Sequence, residues 1–217
     1  MFAIVVPYRN REAHLRKFID HYSEVMPDVP IYIVEQMDDK HFNRAKLFNA
    51  FYLIKGHEYM YCCYHDVDMR VIPELSDKDL FEYPINPTHI GSRLQQFNPK
   101  KRPEQWSEVY PEFFGGVCLI SRGQMENSNG WSNEIYSWGI EDDEMRQNLV
   151  SCGYKIDRRQ GYFRCEDHER PIIPEEFEKN KNYLLKGRSK SDGLSNCRYE
   201  LVSIEQKQGY THVKVIL

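Results

Sequence analysis

The sequence predicts a single α/β domain in which helices flank a mainly parallel central sheet. Short apolar runs alternate with longer segments of helical spacing in residues 1–65, and strands joined through helices form parallel sheets. A chain of 217 residues can bury one large core. No internal repeat, low-complexity tract or Ser/Gly-rich linker divides it, so we expect one domain spanning residues 1–217.

The first half of the predicted sheet comes from five elements in the order β-α-β-α-β. Three apolar runs are typical of buried strands: FAIVVP (2–7), PIYIVEQ (30–36) and YMYCCYH (59–65). Two segments between them carry apolar residues at helical spacing: REAHLRKFIDHYSEVM (11–26) and FNRAKLFNAFYLIKG (42–56). In such a sheet, ligands bind at the carboxyl ends of the strands.

The rest of the chain has a weaker pattern. Strands are predicted within HIGSRLQQF (89–97) and FFGGVCLIS (113–121), and a helix within DDEMRQNLVSCGY (142–154). Residues 199–217 alternate in the manner of a β-hairpin. Residues 166–183 have no strong period and are predicted to form a mobile loop.

Composition and charge restrict the partners and the compartment. A net charge of −4 gives no reason to expect nucleic acid. No apolar run is long enough to cross a membrane and the first residues lack the features of a signal peptide, so we expect a soluble, cytoplasmic protein; a Golgi location would need an anchor outside this sequence. The six cysteines show no CxxC or zinc-ribbon spacing, which favours free thiols in a reducing compartment.

Asp66, Val67 and Asp68 follow the third predicted strand at its carboxyl end. Alternation along an extended segment would send the two carboxylates to one side and Val67 into the core. Two converging carboxylates suit a hard divalent cation that also holds a diphosphate. For these three residues alone, a strand-ending Asx turn is an equally good interpretation.

Basic and aromatic residues follow the other two predicted strands at the same edge. Arg9 and Arg11 come directly after Pro7. Two guanidinium groups at a helix start oppose the helix dipole, which favours a phosphate or carboxylate ligand over plain surface charge. Phe42 and Arg44 begin the second helix, where a ring and a guanidinium could hold a base and a ribose.

Four consecutive acids lie in the segment SWGIEDDEM (137–145), directly after a Trp-Gly-Ile step. Like charges on one helix end repel, so fold stability alone does not favour them; a solvated acidic turn is the alternative interpretation. Trp138 offers a flat face to a sugar ring, and the pair Gly115 and Gly116 permits close approach to the backbone. His168 is the histidine predicted to bind a metal, the alternative being an exposed loop histidine.

Together these motifs make the sequence resemble the β-1,4-galactosyltransferase family, whose catalytic domains have the Rossmann-like GT-A glycosyltransferase fold. Seven segments occur in the family's order: VVPYRNREAHL, FNRAKLFN, HDVDMRVIP, FFGGVCLIS, SWGIEDDEM, CEDHERP and SDGLSNCRYEL. They span nearly the whole chain. Glu144, in place of another aspartate, is most similar to the xylosylprotein (proteoglycan linker) branch.

The resemblance implies a metal-dependent, inverting transfer of galactose from UDP-galactose to a carbohydrate or glycoconjugate acceptor through a β-1,4 linkage, with Mn²⁺ as the cofactor. Asp142 would be the general base. The implied metal ligands are Asp68, His168 and Cys165. The implied donor-binding residues are Pro7, Arg9, Arg11, Phe42, Arg44, Asp66, Val67, Phe113, Gly116, Trp138 and Glu141. The implied acceptor-binding residues are Tyr110, Trp138, Asp142 and Asp143.

The resemblance also divides the domain by task. Residues 1–70 would form the nucleotide-sugar-binding half, which ends in the DVD motif, and residues 71–217 would form the acceptor-binding half. The segment 166–183 would close over the bound donor and metal and complete the acceptor site. Donor would then bind before acceptor.

Several residues depart from the family pattern. Cys165 stands where the family often has a methionine, and Asp167 is the alternative ligand. Phe113 lacks the hydroxyl of a tyrosine common in vertebrate enzymes, which leaves UDP-N-acetylgalactosamine and UDP-glucose open as donors. Ile140 replaces a commonly small or polar residue, and the basic insert NPKKRPEQWSE (98–108) has no counterpart. From another class, a sugar-nucleotide-binding or glycan-binding protein without turnover is the alternative.

Overall fold

A mixed eight-stranded β-sheet lies at the centre of the protein, seen in a computed structural model that describes residues 1–97, 106–166 and 172–217. The strands are β1 (Phe2–Tyr8), β2 (Ile31–Gln36), β3 (Tyr61–His65), β4 (Met69–Val71), β5 (Thr88–His89), β6 (Arg93–Phe97), β7 (Ser107–Glu108), β8 (Val117–Ser121), β9 (Asp157–Arg158), β10 (Tyr162–Glu166), β11 (Glu200–Lys207) and β12 (Tyr210–Ile216). The α-helices are α1 (Glu12–Val25), α2 (Arg44–Ile54), α3 (Arg122–Asn127), α4 (Glu141–Ser151) and α5 (Pro174–Lys186).

The central sheet has the strand order β11-β12-β2-β1-β3-β8-β5-β9. Strands β12, β2, β1 and β3 run parallel to one another, whereas β8 is antiparallel to both β3 and β5. The predicted α/β class is confirmed, and the parallel strands form the middle of a mixed sheet. Because β1 lies between β2 and β3, the carboxyl ends of all three strands meet at one edge, where the predicted site residues follow. A second sheet has the order β4-β10-β6-β7.

Apolar side chains cover both faces of the central sheet. On one face Phe48 of α2 and Trp131 are fully buried together with Val5 of β1. On the other face Phe18 and Tyr22 of α1 are fully buried. The alternation along β1 explains this division, because successive side chains of a strand point to opposite faces. Both layers hold the parallel strands rigidly, which fixes the positions of the loops at their carboxyl ends.

Helix α5 corrects part of the predicted loop at residues 166–183, because the chain is helical from Pro174 onward. The mobility of this segment stays a prediction. Apolar residues are few in α5, and its one buried residue is Asn180, so apolar residues alone did not indicate the helix. The helix is indicated instead by its ends, with Pro174 in the first turn followed by two glutamates, and Lys186 in the last turn. None of the helices in the described residues is both long and apolar enough to cross a bilayer.

The predicted C-terminal hairpin is confirmed by β11 and β12, which pair antiparallel. Beyond that prediction, β12 also pairs parallel with β2 and so extends the central sheet. The N–H of Leu217 donates to Oδ2 of Asp38 at 2.7 Å, which joins this end of the chain to the loop after β2.

Candidate active site

The DVD motif forms a hydrogen-bonded turn between β3 and β4. The N–H of Asp66 donates to the carbonyl of Gly116 (2.9 Å), and the N–H of Met69 donates to the carbonyl of Asp66 (3.3 Å). The prediction of an extended motif is therefore wrong, and a turn, the alternative interpretation, is what the chain adopts. Val67 is buried as predicted. The turn places both carboxylates at the carboxyl end of the parallel strands.

Arg44, at the start of α2, joins the two acidic motifs. Its Nε donates to Oδ1 of Asp66 and its Nη1 donates to Oδ1 of Asp142, both at 2.7 Å. Nη1 also lies 3.7 Å from a carboxylate oxygen of Glu141. The guanidinium is almost fully buried and lies over the ring of Phe48, 4.9 Å from its centroid. The pattern alone did not predict this position between the motifs; the implied contact of Arg44 with the nucleotide stays a prediction.

Burial and like charge raise the pKa of two carboxyl groups around Arg44. Burial and then the neighbouring Asp142 raise the pKa of Glu141 to about 8, although Arg44 acts to lower it. Burial, only partly offset by Arg44, and the charges of Asp68 and Asp142 raise the pKa of Asp66 to about 6. Oε2 of Glu141 is buried and has no hydrogen-bond partner among the described residues. Burial and like charge therefore favour the protonated form of Glu141 at neutral pH.

A turn in an unusual backbone conformation leads into α4. Ser137, Gly139 and Ile140 have φ values of 66°, 98° and 82°, in the left-handed region. For a β-branched residue such as isoleucine this conformation is strained and needs support from its surroundings. Glu141 and Asp142 follow directly in the first turn of α4, where the helix dipole favours negative charge. The turn thus sets the direction in which both carboxylates leave the backbone.

The glycine pair before β8 is required by close contacts. A Cβ atom on Gly115 would lie 2.4 Å from Oδ2 of Asp142, so only glycine leaves room for this carboxylate. Gly116 has a φ of 76°, and a Cβ atom there would lie 2.7 Å from the sulfur of Met69. Gly116, predicted to bind the donor, therefore has a packing role against β4, and its predicted contact with the donor stays a prediction.

The predicted acceptor-binding residues lie around Asp142. Trp138 is 40% exposed, and its ring stacks on Phe177 of α5, with centroids 6.4 Å apart and planes at 18°. Tyr110 is 53% exposed and contacts the ring of Phe113 edge-on at 5.3 Å. Burial and the charge of Asp142 raise the pKa of Asp143. These residues form a half-open, aromatic and acidic mouth.

The predicted nucleotide-binding residues lie at the ends of β1 and β2. Pro7 is buried within β1, which continues to Tyr8. Nη1 of Arg9 donates to the carbonyls of Lys40 (2.6 Å) and Asp38 (3.3 Å). The guanidinium of Arg9 also lies over the ring of Phe42, 5.4 Å from its centroid. Arg11 is the residue directly before α1.

Two of the predicted metal ligands, Asp68 and Cys165, lie on neighbouring segments at the second sheet. Cys165 of β10 pairs with Met69 of β4, which directly follows Asp68. The N–H of Glu166 donates to the carbonyl of Asp68 at 2.9 Å. The other candidates, and the cations of the basic insert, lie outside the described residues: Asp167, His168, Lys100, Lys101 and Arg102. Within the described ranges, no group of three or more His, Cys, Asp or Glu side chains is arranged to hold a metal. The metal site stays a prediction.

The sequence analysis did not predict a role for three residues that lie at or beside the site. Phe177 and Asn180 lie in the part of α5 that was predicted as a loop; proline followed by two glutamates was the signal for that helix. Arg188, beyond α5, is nearly buried and pairs with Glu144 of α4, 3.3 Å from Oε2. Its Nη1 also donates to the carbonyl of Gly130 at 2.9 Å. Nothing in the local pattern distinguishes Arg188 from a surface arginine.

Two family models match the chain. The model for the N-terminal region of glycosyl transferase group 7 matches residues 1–83. The model described as the N-terminal domain of galactosyltransferase matches residues 95–170.

Characterised proteins and solved structures are similar over almost the whole chain. β-1,4-Galactosyltransferase 4 of Cricetulus griseus is 35% identical over 98% of this chain and 62% of its own length. Human β-1,4-galactosyltransferase 1 is 30% identical over 98% of this chain and 54% of its own. The chain therefore spans less than two thirds of the length of these relatives. The catalytic domain of Drosophila β-1,4-galactosyltransferase 7, solved with xylobiose, is 28% identical, with a TM-score of 0.79 over 100% of this chain and 93% of that one. A mutant of that enzyme, solved with manganese, UDP-Gal and xylobiose, has a TM-score of 0.80.

Proposed function

Because the chain belongs to the β-1,4-galactosyltransferase family, we propose that it transfers galactose from UDP-galactose to a sugar hydroxyl, with inversion at the anomeric carbon. The reaction depends on Mn²⁺ and forms a β-1,4 linkage. The complex of the Drosophila relative with manganese, UDP-Gal and xylobiose supports this donor, this metal and a sugar acceptor of the xylose type.

The observation that carries the proposal is the pair of 2.7 Å contacts from Arg44 to Asp66 and Asp142. An inverting transfer requires a base beside the attacking hydroxyl and compensating charge beside the leaving diphosphate. The start of α4 supplies a carboxylate for the first task, and the DVD turn supplies carboxylates that would hold a cation for the second. A single buried guanidinium holds both in one site.

Asp142 is the proposed general base. Arg44 holds its Oδ1, whereas Oδ2 lies against Gly115, which has no side chain of its own. We therefore assign the acceptor proton to Oδ2. Oε2 of Glu141, which is buried without a partner among the described residues, is suited to form a hydrogen bond with a hydroxyl of the bound sugars. Asp143 is the third acid proposed to orient the acceptor.

The carboxylates of the DVD turn fit a hard divalent cation. The raised pKa of Asp66 reflects burial together with the negative charges of Asp68 and Asp142, which a cation would offset. Asp68 is the proposed ligand from this turn, with His168 and either Cys165 or Asp167 completing the set. When bound, Mn²⁺ would supply positive charge to the leaving diphosphate.

Phe113 supports a second candidate for the donor. Its ring packs edge-on against His89 (5.4 Å) and Tyr110 (5.3 Å), and it offers no hydroxyl to the donor sugar. UDP-N-acetylgalactosamine or UDP-glucose would then be used in place of UDP-galactose. A comparison of the three UDP-sugars in one assay identifies the donor.

The two halves of the domain divide the work in this proposal. Residues 1–70 bind the nucleotide through the cluster of Arg9 and Phe42 and hold the diphosphate at the DVD turn. Residues 71–217 bind the acceptor at the aromatic mouth. Cys62, Cys63, Cys118, Cys152 and Cys197 are free thiols, which supports a reducing compartment such as the cytoplasm.

The test is release of UDP from the three UDP-sugars, with Mn²⁺ or EDTA, against xylose, glucose and N-acetylglucosamine acceptors. We expect Mn²⁺-dependent turnover with UDP-galactose that one acceptor stimulates. Asp142→Asn should lower transfer by about 10³-fold, because a general base contributes on the order of 10²–10⁴. Its affinity for Mn²⁺-UDP, measured by calorimetry, should stay within about threefold, since the base does not touch the nucleotide.

The control is Asp157→Asn, which changes an acid of β9 whose Oδ2 accepts a hydrogen bond from Asn86 at the surface. This variant should transfer at the wild-type rate. Tight Mn²⁺-UDP binding without turnover on any donor and acceptor would favour a binding protein and contradict the proposal. Turnover that survives Asp142→Asn would assign the base elsewhere.

A further inference from the structure

Asn180 differs from every other residue of α5 in its burial. It is 2% exposed, whereas the remaining residues of this helix are half-buried or exposed. Its amide Nδ2 donates to the carbonyl of Tyr136 at 2.8 Å and to the carbonyl of Gly139 at 3.4 Å. A polar side chain in such a position acts through its hydrogen bonds, because burying an amide without partners is unfavourable.

The two carbonyls bound by Asn180 flank the left-handed turn before α4. The turn contains Ser137, Gly139 and Ile140, all with positive φ, and a backbone of this kind persists only when its surroundings hold it. On its other side, the N–H of Ser137 donates to the carbonyl of Phe42 at 2.8 Å. The turn is thus held between the start of the α2 region and α5.

Two functional groups depend on this turn. Trp138 lies within it, and Asp142 follows it in the first turn of α4. Phe177, three residues before Asn180 on the same helix, stacks on the ring of Trp138. Residues three apart share one helix face, so α5 contacts the turn at two points, with a ring on the Trp138 side chain and an amide on the backbone.

We propose that Asn180 is a positioning residue for transfer: its amide fixes the turn that presents Trp138 to the acceptor and directs Asp142 towards the acceptor hydroxyl. This inference rests on the proposed function for its effect on rate. Asn180 itself touches neither substrate nor metal. Its loss should lower the rate with acceptor while leaving the nucleotide-binding residues of the first 70 positions in place.

A matched control is available in α4. Nδ2 of Asn148 donates to the carbonyls of Ser128 (2.7 Å) and Gly130 (3.4 Å), almost the same geometry as for Asn180. Asn148 lies near the far end of α4 and bridges a turn that carries no predicted substrate contact. Asn180→Leu and Asn148→Leu each remove two donors and keep the side-chain volume.

We expect Asn180→Leu to lower kcat/KM for the acceptor by about 10- to 100-fold, the scale of a small misplacement of reacting groups. Calorimetric affinity for Mn²⁺-UDP should stay within about twofold, and Asn180→Gln, which retains the donor, should recover part of the rate. Asn148→Leu should lose a similar amount of thermal stability yet keep kcat/KM within about threefold.

A second readout needs no activity. The indole N–H signal of Trp138, assigned by its absence in Trp138→Phe, should shift in the ¹H–¹⁵N spectrum of Asn180→Leu and stay in place in Asn148→Leu. The inference is overturned if Trp138 keeps its signal in Asn180→Leu, or if the two leucine variants lose rate equally. If wild type has no transfer activity but the Trp138 signal shifts only in Asn180→Leu, the proposed function fails and the role of Asn180 in holding the turn stands.

Discussion

At the scale of single residues, His89 shows how the site fixes a protonation state. This fully buried histidine donates from Nε2 to the carbonyl of Gly115 (2.9 Å), and its Nδ1 lies 2.9 Å from Nη1 of Arg158. Since the guanidinium can only donate, Nδ1 must be the unprotonated acceptor. Burial, and then the charge of Arg158, lower the pKa of His89 to about 3. A neutral His89 holds the backbone of Gly115, next to Asp142.

This arrangement predicts a loss of stability in acid. Below the ordinary pKa of histidine the unfolded chain binds a proton that folded His89 does not bind until about pH 3, so the free energy of unfolding falls as pH drops through this window. At pH 5 the penalty should be about 2 kcal/mol. Urea unfolding of wild type and His89→Gln should therefore show a stability difference that changes by about this amount between pH 7 and pH 5. A difference that stays constant would show that folded His89 is protonated more readily.

At the scale of elements, the site depends on how closely α4 approaches the segment before β8. Gly115 has no positive φ, so an alanine is compatible with its backbone, yet its Cβ would collide with Oδ2 of Asp142. Gly115→Ala should lower transfer by about 100-fold through displacement of the base. It should destabilise the fold by only about 1–3 kcal/mol, the usual cost of overpacking.

The control for this substitution is Gly123→Ala in α3. No atom lies within 4 Å of a Cβ built on Gly123, and alanine favours a helix more than glycine does. This variant should keep its transfer rate and gain up to about 1 kcal/mol. Transfer that survives Gly115→Ala would mean that Asp142 can reach the acceptor from a second position.

Elements were predictable where periodicity or end signals determine them. The β-α-β-α-β order up to β3 and the final hairpin follow from local patterns of apolar residues, and the structure confirms them. Helix α5 was missed because it has few apolar residues and its one buried residue is polar. At Asp66–Asp68 the sequence left an extended segment and a strand-ending turn equally open, and the hydrogen bond from the N–H of Met69 to the carbonyl of Asp66 shows a turn.

The same limit applies to the site. Motifs indicated that Asp66, Asp142 and Trp138 carry chemistry, and these residues lie around one mouth. The bridge through Arg44 could not be predicted, because its two carboxylate partners lie 22 and 98 residues away along the chain. Ile140 shows that local preference can also mislead. The backbone preference of isoleucine disfavours a φ of 82°, and the tertiary contacts around the turn override that preference.

At the scale of the whole molecule, the cysteines predict insensitivity to reductant. Cys152 and Cys197 are free thiols, and so are Cys62, Cys63 and Cys118, which are buried in the central sheet. Excess dithiothreitol should leave Tm within about 1 °C, whereas loss of a native disulfide typically costs about 2–5 kcal/mol. Differential scanning fluorimetry with and without reductant makes the comparison. A fall of several degrees would reveal a disulfide and favour an oxidising compartment.

The position of β12 between β2 and β11 has a consequence for biosynthesis. Hydrogen bonds at this seam join distant parts of the chain: Leu217 and Asp38, which it brings together, are separated by 179 residues. The pairing of β12 with β2 is expected to form late in folding, because long loops are entropically costly to close. On the ribosome, β2 would present an open apolar edge until the hairpin emerges, and open edges recruit other chains. Substitutions that weaken the hairpin should therefore reduce the yield of folded protein more than the activity of the molecules that do fold.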